Sequence, residues 1–415
     1  MVREHLKFVV VGSVDHGKST LIGRFLYDTG SLPEAQLDAV RRASGGAGAE
    51  VEFAFVLDHL EEERARHITI DTAQTFFSSD RRDYVIIDAP GHKELLKNMI
   101  TGASQASAAL LMLDVYEGLR EQTRRHTYML SLLGIRQLIV VLNKMDLAAY
   151  SREVYLSKAD QMHRLLAKVT LDHMAIIPAV AKDGENIVHQ SVNMPWYDGP
   201  TVIEALDLLK ADVTDESLPL RLPVQDVYEL DGRRVAVGRV ASGMLSVGDS
   251  VAVCPGQAEA RIAGILKFEG PIASAAAGES IGFTVANGSA GLAGGPELRR
   301  GLTLADPADT PSESELLMAN VFWMSPEPLA AGEKILLRLA TQEAICTVEQ
   351  IARRMDSGSL EVIASQASEL ADTEVAEVTL CAERPINYES FAKVPEMGRL
   401  VLMRGTDIVA GGIVP

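Results

Sequence analysis

Residues 12–20 read GSVDHGKST, two glycines five apart followed by a lysine and two hydroxyls, directly behind the apolar run LKFVVV. That combination can clasp phosphate. Gly12 and Gly17 let the backbone N–H groups turn inward on phosphate oxygens, Lys18 reaches the outer phosphates, and the Ser19 hydroxyl suits Mg2+. A glycine turn of this kind also arises by chance, but here an apolar strand pattern precedes it and a helix pattern comes after it, the context a clasp requires. The expected nucleotide-binding residues are Gly12, Ser13, Val14, Asp15, His16, Gly17, Lys18, Ser19 and Thr20.

NKMD at 143–146 follows the run LIVVL, about 125 residues beyond the clasp. At the carboxyl end of a parallel strand such a segment faces a ligand. The Asp146 carboxylate can accept two hydrogen bonds, from the N1–H and the amino group of guanine, and adenine has no matching pair of donors. The expected ligand is therefore GTP. Asn143 would hold the neighbouring base edge and the loop, the Lys144 stem would pack on the ring, and Met145 completes the segment. DAPGH at 88–92 supplies a third part: Asp88 ends a strand and can hold Mg2+ through water, and the Gly91 N–H can meet the γ-phosphate. Ala89 and Pro90 carry that turn. His92 stands where a side chain orients an attacking water; on an isolated turn it would be an ordinary surface histidine. In HITID at 67–71, the Thr69 hydroxyl can complete the Mg2+ shell.

Five apolar runs hold these segments, and longer amphipathic stretches alternate with them up to about residue 212. LKFVVV, DYVIID, AALLMLD, QLIVVLN and MAIIP read as strands and the stretches between as helices, the pattern of an α/β domain with a doubly wound, mostly parallel sheet. Beyond it the chain changes to short Val- and Leu-rich segments cut by glycine turns, as in VAVGRVASGMLSVGDSVAVC, which read as β-barrels. Polar, proline-containing stretches at 210–223 and 305–315 read as linkers, giving a GTP-binding domain at 1–211 and β-barrel domains at 220–306 and 314–415. SGGAGAE at 44–50 reads as a loop.

The bulk properties narrow the class. In 415 residues no apolar run approaches the roughly 18 of a membrane span, and the first apolar stretch serves as a strand with no small-residue cleavage site behind it, so the chain is read as cytoplasmic. Its three cysteines are far apart and form no metal-binding pair. A net charge of −18 opposes nonspecific attachment to nucleic acid or anionic lipid.

Together GSVDHGKST, ITID, DAPGH and NKMD, followed by two barrels, resemble the translational GTPases of the elongation factor Tu class, over nearly the whole chain. QTRRH at 122–126, NMPWYDGPTVIEAL at 193–206 and VFWMSPEPLAAGEKILLRL at 321–339 are similar to the GTPase subunit family of bacterial sulfate adenylyltransferase. This second resemblance implies a heterodimer. A smaller catalytic subunit would make adenosine 5′-phosphosulfate from ATP and sulfate while this chain hydrolyses GTP to drive the synthesis. Val14 and Ile68 match an apolar gate that keeps His92 off the water until the partner signals.

Some positions depart from the family pattern. His67 stands where glycine is usual, which carries a cost if that position needs positive φ. Val180 replaces the serine of the base-contacting loop, whose support is lost, although the Ala181 N–H can still reach the guanine oxygen. IDAPGHKELLKNMITGAS looks more like archaeal or eukaryotic elongation factors. An alternative is therefore delivery of charged tRNA, although residues 221–415 carry 16 basic against 26 acidic side chains, no evident footprint for RNA. A third possibility is a GTP-regulated assembly module without coupled chemistry.

Overall fold

A computed structural model describes residues 5–32, 73–88, 106–135, 137–169, 171, 173–210, 217–230, 232–256, 258–286 and 297–415. The chain separates into two compact units, Met1–Asp212 with Ser357–Leu360, and Val213–Asp356 with Glu361–Pro415. Among the described residues no helix is long and apolar enough to cross a membrane.

In the first unit the elements run β1 (His5–Val11), α1 (Lys18–Asp28), β2 (Ala73–Ser78), β3 (Asp83–Asp88), β4 (Ala108–Asp114), α2 (Glu121–Leu132), β5 (Gln137–Asn143), α3 (Arg152–Lys168), β6 (Ala175–Pro178) and α4 (Val202–Leu208). Their strands form one sheet in the order β2-β3-β1-β4-β5-β6. All neighbours are parallel except β2, which runs antiparallel to β3. The five apolar runs are the five parallel strands. β2, AQTFFS, is not among them: it is an edge strand whose Phe77 is buried while Phe76 is exposed, and its polar residues hide the pattern.

β4 and β5 are buried along nearly their whole length, as strands in the middle of a parallel sheet must be. On one face of the sheet Phe8, Val10, Ile86, Leu110, Met112, Ile139 and Val141 pack with Leu21, Ile22 and Phe25 of α1 and with Val202, Ala205 and Leu206 of α4. Phe77 stacks between Phe25 and Tyr84, and Phe8 meets Phe77 and Tyr84 edge on, so rigid rings fix α1 on the sheet just behind the clasp. α3 is capped by Ser151, and α4 by a reciprocal pair in which the Glu204 N–H donates to Thr201 and the Thr201 N–H donates to Glu204.

Strand register decides where the ends of the strands lie. Val10 lies beside Asp88, Val11 beside Leu111, Asp114 beside Asn143, and Leu142 beside Pro178. Every parallel strand thus delivers its last residue to one edge of the sheet, the edge where ligands bind in folds of this kind.

Among the described residues the second unit has two seven-stranded sheets and two small two-stranded ones. In the first, Ser250–Cys254, Thr303–Ala305, Arg221–Leu230, Arg233–Arg239, Ser280–Val285 and Ala258–Lys267 follow one another, and Ala258–Lys267 pairs back onto Ser250–Cys254, closing a six-stranded barrel with one short strand appended. In the second, Lys334–Leu339 and Gln342–Asp356 close the ring in the same way. Closure removes the free edges that short strands would otherwise expose. VAVGRVASGMLSVGDSVAVC is cut into its strands at Gly243 and Gly248, both at positive φ.

The stretch expected as a linker at 210–223 is already strand from Arg221. Leu220, Leu222 and Val224 are buried, and the fully buried Arg221 bonds Glu389 at 2.5 Å and Asp309 at 2.6 Å. Removing one partner of such a buried pair typically costs about 3–5 kcal/mol. The cysteines are free; burial pushes the Cys346 thiol up to about 12.

Candidate nucleotide site

At the end of β1 the chain turns through residues that nothing but glycine fits. A Cβ on Gly12 would lie 2.7 Å from the Met112 carbonyl oxygen. Gly17 has φ 89°, and a Cβ there would come within 2.5 Å of Asn143 Nδ2. Asp15, at φ 64°, takes a left-handed conformation that aspartate tolerates. Between these points His16 faces into the fold, its Nδ1 donating to the Met112 carbonyl at 2.9 Å and its Nε2 lying 3.1 Å from Glu117. His16 therefore braces the loop with its side chain, while its backbone N–H bonds the Ser13 carbonyl.

Lys18 is buried, and its ammonium donates to the carbonyls of Gly12 and Ser13, each at 3.0 Å. Burial pulls its pKa below the ordinary 10.5, opposed by the charges of Asp88 and Asp15. Ser13 Oγ is buried with no hydrogen-bond partner among the described residues, the kind of group a phosphate oxygen satisfies. Ser19 and Thr20 occupy the first turn of α1, and Val14 is half-buried. Asp88, buried at the end of β3, is close enough to Lys18 for its charge to be felt there. A hydroxyl and a carboxylate suit Mg2+, which usually keeps several waters and takes its other ligands from substrate phosphates. Among the described residues no group of three or more His, Cys, Asp or Glu could hold a metal by itself.

Asn143 stitches three segments together. Its Nδ2 donates to the His16 carbonyl and its Oδ1 accepts from the Ala181 N–H, both at 2.9 Å. The Ala181 N–H, expected at a base oxygen, is thus engaged by Asn143 in this structure. Lys144, at φ 63°, sends its ammonium to Asp114, 2.9 Å away. Met145 is buried, and its N–H bonds the Ala179 carbonyl. Asp146 has one oxygen 3.3 Å from Lys182 Nζ and the other buried without a hydrogen-bond partner among the described residues.

Val180, where serine is usual, packs with Val115, Met145 and Met194. The turn it begins is held by the backbone pairing of Val180 with Glu185 and by Asn186 Nδ2 donating to the Pro178 carbonyl at 2.9 Å. His67, Ile68, Thr69, Ala89, Pro90, Gly91 and His92 lie outside the described residues.

Asp114 is not among the residues that the motifs single out, although it closes an apolar run just as Asp88 and Asn143 do. Burial works to raise its pKa; hydrogen bonds from Lys144 and from the Tyr116 and Glu117 N–H groups outweigh that, and the carboxyl lies below its ordinary 3.8. A group with a depressed folded pKa stabilises above its unfolded value and loses that contribution as pH falls toward the folded one. Asp114→Asn should therefore lower the melting temperature at pH 7, by a free energy of roughly 1–3 kcal/mol, and the gap from wild type should narrow below about pH 4. A gap of the same size at pH 7 and pH 3 would contradict this role. His126 of QTRRH also joins the site: fully buried in α2, it is kept neutral, its pKa lowered to about 3 by burial and then by the charges of Lys18, His16 and Arg125.

Residues 3–216 match the family described as Elongation factor Tu GTP binding domain, and residues 317–415 match GTP-eEF1A C-terminal domain-like. Elongation factor 1-alpha of Archaeoglobus fulgidus is 38% identical over 415 residues, which is 99% of this chain and 97% of that protein. The factor of the same name from Natronomonas pharaonis is 36% identical with the same coverage. Sulfate adenylyltransferase subunit 1 of Aeromonas hydrophila subsp. hydrophila is 36% identical over 412 residues, 98% of this chain and 85% of that protein.

Proposed function

Because the chain belongs to the elongation factor Tu GTP-binding family, we propose that the sheet edge binds GTP with Mg2+ and that its hydrolysis there drives a partner's chemistry in the cytoplasm. The observation that carries the nucleotide reading is the convergence of Lys18, Asp88, Asn143 and Asp146 on one edge, with Asp146 presenting a buried oxygen that has no partner among the described residues. Lys18 exchanges the Gly12 and Ser13 carbonyls for outer phosphate oxygens. The Gly91 N–H holds the γ-phosphate, His92 orients the attacking water, and Val14 and Ile68 keep His92 away until the partner engages. Mg2+, when bound, neutralises phosphate charge, with Ser19, Asp88 and Thr69 as its proposed protein ligands.

The partner we propose is a smaller catalytic subunit that joins sulfate to the adenylyl group of ATP, releasing pyrophosphate. That reaction is unfavourable, which is what a coupled GTP hydrolysis can offset. Similarity to sulfate adenylyltransferase subunit 1 over 98% of the chain supports this reading, as does the acidic balance of residues 221–415. The second reading, delivery of aminoacyl-tRNA, draws equal support from the elongation factor 1-alpha relatives at 36–38% identity. Purification of the tagged chain from its native cell separates the two. A stoichiometric small subunit that forms adenosine phosphosulfate only while GTP is split supports sulfate activation. Co-purifying tRNA, with hydrolysis indifferent to ATP and sulfate, overturns it in favour of delivery.

A further inference from the structure

Reading a base edge with a carboxylate demands that the carboxylate be held at one rotation, yet torsions of this kind are broad and only weakly restrained by the chain itself. Within the fold, Asp146 Oδ1 is buried and has no hydrogen-bond partner among the described residues. Oδ2 is different: Lys182 Nζ stands 3.3 Å from it, with the lysine half-exposed and the aspartate at 19%. Val180, two residues before Lys182, is turned into an apolar cluster, and its side chain offers Asp146 no hydrogen bond.

Lys182 is well placed for this task by its backbone. It projects from a tight turn in which Val180 and Glu185 exchange backbone bonds, the Asp183 N–H bonds Val180 and the Gly184 N–H bonds Ala181. The preceding residue, Ala181, donates its N–H to Asn143 at 2.9 Å. One short segment therefore grips both Asn143 and Asp146, the first through its backbone and the second through an ammonium group.

We infer that Lys182 is a positioning residue for base selection: its ammonium holds one oxygen of Asp146 and so aims the carboxylate at the N1–H and 2-amino donors of guanine. The inference rests on the GTP reading and deepens it. An exposed ion pair adds little to stability, so the effect of Lys182 lies in discrimination between bases. Inosine, which keeps N1–H and lacks the 2-amino group, isolates the second of the two hydrogen bonds that a correctly turned carboxylate accepts.

Dissociation constants for GDP and IDP, measured on the full chain and on Lys182→Met and Lys182→Arg, test the inference. Wild type should prefer GDP. In Lys182→Met that preference should fall about tenfold, whereas Lys182→Arg, which keeps charge and donors, should stay within about twofold of wild type. A lysine that merely braces the fold would weaken both nucleotides equally and leave the ratio unmoved, and an unmoved ratio overturns the inference while sparing the GTP reading. So does an arginine variant as indiscriminate as methionine. If wild type itself binds neither nucleotide, both fall.

Discussion

Asp146→Asn is expected to turn a guanine binder into a xanthine binder. The aspartate carboxylate offers two acceptors to the N1–H and 2-amino group of guanine. An asparagine amide keeps one acceptor but sets an N–H donor against the 2-amino donor, while xanthine carries at that position a carbonyl that the amide can bond. Hydrogen bonds to a charged group are worth roughly 1.5–3 kcal/mol, and a buried donor left facing another donor adds its own penalty. The GDP dissociation constant should rise by on the order of a hundredfold and that of XDP should fall. Asp146 also loses its attraction to Lys182, but that pair is half-exposed at the lysine and contributes little alone. Competition between the two diphosphates reports the exchange directly, and an unchanged GDP affinity would remove Asp146 from the base site.

The second large effect lies in the chemical step. His92→Ala should slow GTP hydrolysis by about a hundredfold to ten-thousandfold, the usual contribution of a side chain that orients and assists a reacting water, and should leave the GTP dissociation constant nearly unchanged. His92 lies four residues beyond Asp88, the last residue of β3, and the prediction rests on that spacing. Single-turnover hydrolysis beside equilibrium binding separates the two quantities. Equal rates in variant and wild type would assign the water to another group.

How legible each feature is in the chain depends on how local its signal is. The clasp, NKMD and the five apolar runs are contiguous segments, and each demands its own backbone form; the structure delivers the described parts of them to one edge through a register that parallel pairing imposes. β2 escapes a reading by pattern because an edge strand of Gln, Thr and Ser carries only half of one. The linker at 210–223 is shorter than its composition implies because Arg221 looks polar, whereas Glu389 and Asp309, far along the chain, satisfy its charge inside the fold. Lys182 leaves no signal at all. Its meaning depends on a distance to Asp146 across 36 residues of chain that fold back through α3 and β6. Val180 reads in the sequence as a loss; in the fold it is a core residue, and the turn it begins is held by backbone bonds.

The most direct measurement is displacement of a fluorescent guanine diphosphate from the purified full chain by GDP and by ADP. A site built around the Asp146 carboxylate should favour GDP over ADP by at least about a hundredfold, since adenine leaves its buried acceptor unpaired. Equal displacement by the two would mean that the sheet edge clasps phosphate without reading the base, and the account of Asn143, Asp146 and Lys182 would be contradicted.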